Sequence, residues 1–298
     1  MSRATRRSVL EVRLGDAGAT TVLATAHQDG PGGAAHLDLV LEVAGDGTLV
    51  SLEGLPSYAA LVGHPTGSGF RRRLAGLPTG TPQGRLAQRL LDDLPIVLRV
   101  AFQTTILDHP ALARPPAGFS LAGADQCEGW RSDGTMLTQI AAEGGVLQMA
   151  LTEPVDDSTG AWADQPCALL PAMATRRRRR VEVDQADQAD GGGLQVRAHF
   201  RDSYADPDGL ERGLHGYGVT ARVVDGVVTA VEATGVVLPW PECWRATDST
   251  QRLVGTRLEE LDQLVKTGFT GRGTCTHLND TLRALADVAE LTGSAAVG

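Results

Sequence analysis

The chain has 298 residues, 42% hydrophobic, 21% charged and only 4% aromatic, with 36 Gly, 15 Pro and a formal net charge of −9. Such a composition belongs to a globular, loop-rich protein of two modest domains or one large one, and excludes disordered and fibrous chains. The acidic balance excludes general nucleic-acid binding, which needs a broad basic surface to displace counterions, and no run approaches the ~20 apolar residues of a membrane-spanning helix.

The first residues are basic but have no apolar core of signal-peptide length, so a soluble cytoplasmic protein is expected. The first element with a strong signal is a hairpin. His36 opens an apolar-rich run that ends at Asp46-Gly47, a second run reaches Glu53, and Leu55-Pro56 follows. Asp-Gly between β-prone runs favours a tight turn, because positive φ is tolerated there. After Leu61-Val-Gly63 comes a Gly/Pro-rich stretch to Pro82. Leu86, Leu90 and Leu94 then recur at helical spacing. Pro95 should interrupt that helix, and the apolar run Ile96 to Leu107 predicts a second, buried one.

From Pro110 to Arg180 the pattern weakens. Phe119 to Ala142 reads as helical in parts and contains Cys127-Glu-Gly-Trp130, whereas Thr152 to Pro171 is a Pro/Asp-rich connector ending in Arg176 to Arg180. In an acidic chain these arginines are read as solvated or paired within the molecule, with an anionic ligand as the alternative. The acidic run Asp184 to Asp190 and Gly191-Gly192-Gly193 open a loop before a strand from Leu194 to Phe200.

Five landmarks of the first hairpin and its helices then recur in the same order. His215 stands against His36, Asp225-Gly226 against Asp46-Gly47, Glu232 against Glu53, Leu238-Pro239 against Leu55-Pro56, and Leu253-Val-Gly255 against Leu61-Val-Gly63. The expected fold is therefore α+β and internally duplicated, with two small antiparallel sheets built on Asp-Gly hairpins and each packed by helices. The division is a first repeat over 1–108, a partly helical connector over 109–180 and a second repeat over 181–298. An ideal two-residue turn at Asp225-Gly226 pairs Val219 with Glu232, which puts His215, Tyr217 and Glu232 on one face.

Reactive side chains gather in the second repeat. A glycine-broken loop, Gly268-Phe-Thr-Gly-Arg-Gly273, delivers Cys275 and His277 to the first turn of a helix. A thiol there feels the positive end of the helix, which should lower its pKa, and a neighbouring imidazole would add to that. The corresponding positions of the first repeat hold Gln83 and Arg85. Cys243 lies in an insert flanked by Trp240 and Trp244, suited to the wall of a pocket. Cys243, Cys275 and His277 are also a candidate ligand set for zinc or iron, although Cys-x-His alone is a weak metal signature. His215 could transfer protons but reads as a scaffold residue, since His36 matches it. Asp202 could orient a histidine or cap a turn, the turn being preferred. No nucleotide-binding glycine motif, nucleophile-elbow serine or His-Glu-x-x-His is present.

His215 before a strand, the Asp-Gly turn, Leu238-Pro239 with Cys243 behind it, Leu253-Val-Gly255 and the closing Cys275-Thr-His-Leu-Asn together resemble a bacterial domain-of-unknown-function family, number 2889, over about residues 195 to 292. The resemblance implies a shared fold and no activity. The expected function is that of a lyase, isomerase or hydrolase acting on a small organic acid or its thioester, with Cys275, His277 and His215 catalytic and Trp240, Trp244, Tyr217 and Glu232 around the ligand. The alternative is a non-catalytic ligand- or metal-binding protein. The partner is a small molecule, and oligomeric state is not legible.

Overall fold

The computed structural model describes residues 3–15, 18–108, 123–142, 153–158, 160–186 and 192–293. Residues 119–122 of the expected helical stretch and 187–191 of the acidic glycine loop lie outside them. Both Asp-Gly segments turn a hairpin, but differently. Asp225 and Gly226 both take positive φ (50° and 76°), and Val224 faces Val227 across a two-residue turn. At Asp46-Gly47 only Gly47 does (83°), and the strands are joined by a longer loop closed by Gly47 N–H to Ala44 O and Ala44 N–H to Thr48 O, both 2.8 Å.

Side chains alternate along a strand, so a one-residue difference in connection turns every side chain over. His36 accordingly lies on the open face of the sheet beside His27 and Asp38, whereas His215 is buried under the helices. The matched spacing therefore does not give the two histidines a common scaffold role. A bulge between Arg222 and Val223 has a similar effect on Glu232, which pairs with Thr220 instead of Val219. Glu232 is thus exposed on the open face, away from His215 and Tyr217, contrary to the ideal-hairpin reading.

The eight strands form one antiparallel sheet, not two. They are β1 (Ala4–Leu14), β2 (Thr20–Asp29), β3 (Ala35–Val43), β4 (Leu49–Glu53), β5 (Thr175–Gln185), β6 (Leu194–Ala205), β7 (Glu211–Val224) and β8 (Val227–Val237), in the order β4-β3-β2-β1-β5-β6-β7-β8. Each half is a four-strand meander, and β1 pairs with β5 from Ala4–Val183 to Val12–Thr175 to make the sheet continuous. Each meander leads into a 3-10 helix (Pro56–Leu61 and Pro241–Leu253) and then α-helices, all on one face. The first half contributes α1 (Phe70–Ala75), α2 (Pro82–Asp92) and α3 (Leu94–Asp108). Thr81 caps α2 by accepting from Gly84 N–H at 3.0 Å, and Pro95 sits at the start of α3, as its fixed φ and missing N–H favour. Between the halves the described residues form a short 3-10 turn (Glu128–Trp130) and α4 (Thr135–Ala142). The second half adds α5 (Leu258–Gly268), α6 (Thr276–Ala284) and α7 (Val288–Leu291).

The arginine run is not a linker. Arg176 to Arg180 lie in β5, at the middle of the sheet, and all five are buried. Alternation sends them to opposite faces. Under the helices, Arg177 binds Asp202 through two contacts (2.7 and 2.8 Å) and Arg179 binds Asp93 at 2.7 Å. On the other face, Arg176 meets Glu11 and Glu211 at 2.8 Å, Arg178 meets Asp157, and Arg180 meets Asp164. The last two acids belong to the irregular stretches 153–158 and 160–171, which lie across the sheet with Trp162 stacked over Arg178 at 4.4 Å.

Two apolar cores flank this centre, one per half. Between their helices the seam is ionic: Arg71–Asp280 (3.2 Å), Arg85–Glu290 (2.6 Å), Arg89–Asp287 (2.9 Å) and Arg283–Asp92 (2.5 Å). Deleting one partner of a buried pair leaves an uncompensated charge. Arg177→Met should therefore lower unfolding stability in urea by about 3–5 kcal/mol, whereas Arg257→Ala, at the exposed, solvent-screened Arg257–Glu259 pair, should leave the urea midpoint essentially unchanged.

Candidate functional site

The site follows from strand register. Arg177 on β5 faces Asp202 on β6, and Asp202 faces His215 on β7, so these three side chains form one lateral row under the helices. Helix α6 descends onto that row. Its N-cap is Cys275 itself, with extended backbone (φ −140°, ψ 128°) and no side-chain cap, and the Thr274 hydroxyl donates to Gly271 O at 2.7 Å. The first turn then lowers His277 onto His215, with ring centroids 3.7 Å apart and planes inclined by 15°.

Three contacts define what this cluster can do. Cys275 Sγ is 3.8 Å from His277 Nδ1. The other nitrogen of that ring, Nε2, is 3.6 Å from Asp202 Oδ2, and His215 Nδ1 is 3.7 Å from the same oxygen. Both nitrogens are buried without a hydrogen-bond partner among the described residues. Burial, reinforced at His277 by the positive charges of Arg177 and Arg99, holds the two imidazoles well below the usual histidine range. Both rings are therefore neutral at pH 7, and their approach to Asp202 is not an ion pair. Nδ1 of His277 therefore faces the thiol, and Nε2 faces the carboxylate at a distance beyond a hydrogen bond.

The thiol is equally neutral. Burial pushes Cys275 upward, although the Tyr217 hydroxyl and the N–H groups of Leu278 and His277 pull the other way. The helix start thus does not yield the lowered thiol pKa expected from sequence, because desolvation outweighs it. Cys127 is pushed up to about 11 and Cys243 further still, again by burial first.

Cys275, His277 and His215 open onto a cavity of about 70 Å³. Its walls come from three regions: Ile96, Arg99, Val100 and Gln103 of α3; Gln126, Cys127, Gly129, Trp130 and Met136 between the halves; and Pro239, Trp240 and Cys243 of the second-half insert. The Cys127 segment is fixed against the glycine loop by Glu128, whose N–H donates to Thr274 O at 2.8 Å and whose carboxylate accepts from Gly273 N–H at 2.5 Å.

Residues 176–290 match a family model described as "Protein of unknown function (DUF2889)". No curated protein and no solved structure matches the chain. The DUF2889 segment holds Arg177, Asp202, His215, Cys243, Cys275 and His277, whereas α3 and the Cys127 wall lie outside it.

The structure brings Cys275, His277, His215, Cys243 and Trp240 to one cavity. Tyr217 lies beneath it, fully buried, and its hydroxyl donates to Cys243 O at 3.5 Å. Trp244 is not a wall: it is 47% exposed and covers Gly235, where a Cβ would meet its ring at 2.7 Å. Glu232 is on the other face of the sheet. Asp202 is bonded to Arg177 and lies 3.6–3.7 Å from the two imidazoles, and it caps no turn. Sequence reasoning missed Arg99 as a wall residue, although it was signalled as the one charge in the apolar first three turns of α3.

The expected metal set does not converge. Among the described residues, the groups whose ligand atoms all lie within 4.8 Å of one another are Asp202–His215–His277 and Asp92–Asp93–Asp280. Neither suits a divalent ion. Imidazole lone pairs lie in the ring plane, so two nearly parallel rings stacked at 3.7 Å cannot aim at one point about 2 Å from each nitrogen. Arg177 already occupies both Asp202 oxygens, and Arg71, Arg177, Arg179 and Arg283 surround the aspartate group.

Buried neutral histidines give a pH dependence of known sign. Below about pH 6.5 the unfolded chain binds protons at these rings that the native state does not. Stability contributed by burying them is present above that pH and is lost as pH falls. The melting temperature should drop between pH 7 and 5, and His277→Gln should drop less steeply over that window in a pH series of thermal melts.

Proposed function

We propose that the chain is an enzyme that moves protons on a small substrate, as a lyase or isomerase, with Cys275 as acid, His277 as base and Asp202 as the residue that orients the imidazole. The observation that carries this reading is the 3.8 Å approach of the Cys275 thiol to Nδ1 of His277, which accepts when the ring carries its proton on Nε2. His215 stacks on the base and, with Asp202, fixes its plane. Cys243, Cys127 and Trp240 close the cavity around the substrate.

The step balances without a cofactor. His277 Nδ1 takes a proton from a substrate carbon and becomes imidazolium, while the Cys275 thiol gives its proton to a neighbouring atom on the same side of the substrate or to a leaving hydroxyl. The resulting thiolate and imidazolium then exchange one proton directly, which restores the neutral pair. Burial makes the charged pair costly in the empty site and the neutral pair the resting state. A hydrolase with Cys275 as nucleophile is less favoured, because attack requires the thiolate that burial suppresses. The common element order of the two halves supports reading them as diverged copies, of which the second kept the reactive residues.

The test is proton exchange in deuterated water, followed by NMR over a panel of short-chain organic acids and their thioesters. The wild type should exchange the α-proton of at least one compound. His277→Gln should slow exchange about 10²–10⁴-fold, whereas Cys275→Ser should leave exchange and abolish net conversion, with both variants folded. Equal rates in all three proteins would overturn the assignment, and loss of the fold in either variant would make the pair structural. The alternative, a non-catalytic zinc- or iron-binding protein, requires a stoichiometric metal signal from purified protein; a substoichiometric one is expected.

A further inference from the structure

We propose that Arg99, with Gln103 one helical turn on, is the anchor for a substrate carboxylate, so that the site takes short-chain carboxylates with the anionic end at the cavity mouth and the reacting carbon against Cys275 and His277. The inference rests on the proton-transfer reading of that pair and adds the charge, orientation and size of what it acts on.

Four observations support it. Ile96, Arg99, Val100 and Gln103 have the i, i+3, i+4, i+7 spacing of one helix face, and all four line the cavity. Arg99 carries the one formal charge in that lining: the other walls are apolar, amide, hydroxyl, thiol or neutral imidazole. A small, mostly apolar enclosure with a single guanidinium favours an anion, and the planar fork of arginine matches a carboxylate. Arg99 also stands apart from the other arginines near the centre of the molecule. Arg176 to Arg180, Arg89 and Arg283 are each held by acids, whereas Arg99 is exposed at the rim and makes no ion pair or hydrogen bond among the described residues. A guanidinium in α3 that neither packs nor pairs has no evident structural duty.

The enclosed volume sets the size. About 70 Å³ holds only a handful of water-sized groups, at roughly 10–15 Å³ each. That suits a few carbons between the rim and the thiol, with any larger group extending outward. Arg99 is also close enough to His277 for its charge to oppose protonation of the ring. A bound carboxylate would cancel that charge and strengthen the base only when substrate is present.

Isothermal calorimetry on the full chain tests this with propionate, its neutral match propionamide, and inorganic phosphate. Propionate should bind saturably, propionamide at least about tenfold more weakly, as expected for loss of a charge-assisted hydrogen bond. Arg99→Gln should weaken propionate by about tenfold or more, Arg99→Lys should fall between, and Arg257→Gln, at an exposed pair outside the cavity lining, should bind as the wild type does. Equal binding of acid and amide, unchanged affinity in Arg99→Gln, tighter binding of phosphate, or no saturable binding of propionate each overturns the assignment. The two readings fail separately. Arg99-dependent propionate binding without proton exchange on any compound would sink the catalytic reading and keep the anchor, and exchange that Arg99→Gln leaves unaltered would do the reverse.

Discussion

A guanidinium buried in the middle of a sheet is tolerable only if carboxylates reach it, and this fold places five in a row on its central strand. Alternation divides them between the two faces, so acids must arrive from both sides. The helices bring Asp93 and Asp280, the neighbouring strand brings Asp202, and the irregular stretches 153–158 and 160–171 bring Asp157 and Asp164. Arg177 is the most constrained of the five, fully buried and bound to acids from β6 and α6. Its demands fix where α6 sits over the sheet, and hence where Cys275 and His277 point. Electrostatic pairing at the centre thereby positions a site that is itself uncharged.

That contrast underlies the chemistry. Asp202 accepts two hydrogen bonds from Arg177, which fixes its position. Beside it, desolvation keeps the imidazoles deprotonated and the thiol protonated. On the proposed reading, the protons that move are those of the thiol and one imidazole, and a preorganised setting of this kind would lower the reorganisation needed when charge develops on a substrate.

Much of this was legible in the residues, because it rests on local rules. The Asp-Gly turns, the break at Pro95 and the arrival of Cys275 and His277 at a helix start all follow from backbone preferences that sequence displays directly. Two kinds of feature were not legible. Strand faces depend on the parity of turns and bulges, and a single bulge at Arg222/Val223 moved Glu232 to the far side of the sheet. Long-range assembly was equally hidden: nothing local shows that β1 pairs with β5, so one sheet read as two. The arginine run was misplaced in a linker for the same reason, since its strand character rests on partners up to 165 residues away. The sign of the thiol shift failed because helix position is visible in sequence and burial is not.

The wall of the cavity is assembled from chain segments on both sides of the boundary of the matched region, and this has an evolutionary consequence. Residues 176–290 carry the Cys275–His277–His215–Asp202 cluster, while the rim above it is supplied by α3 and the Cys127 turn. A relative sharing that segment alone would inherit the same cluster beneath a different mouth. Whatever the cavity takes, its selectivity could then diversify by exchanging the flanking half, with the floor left untouched.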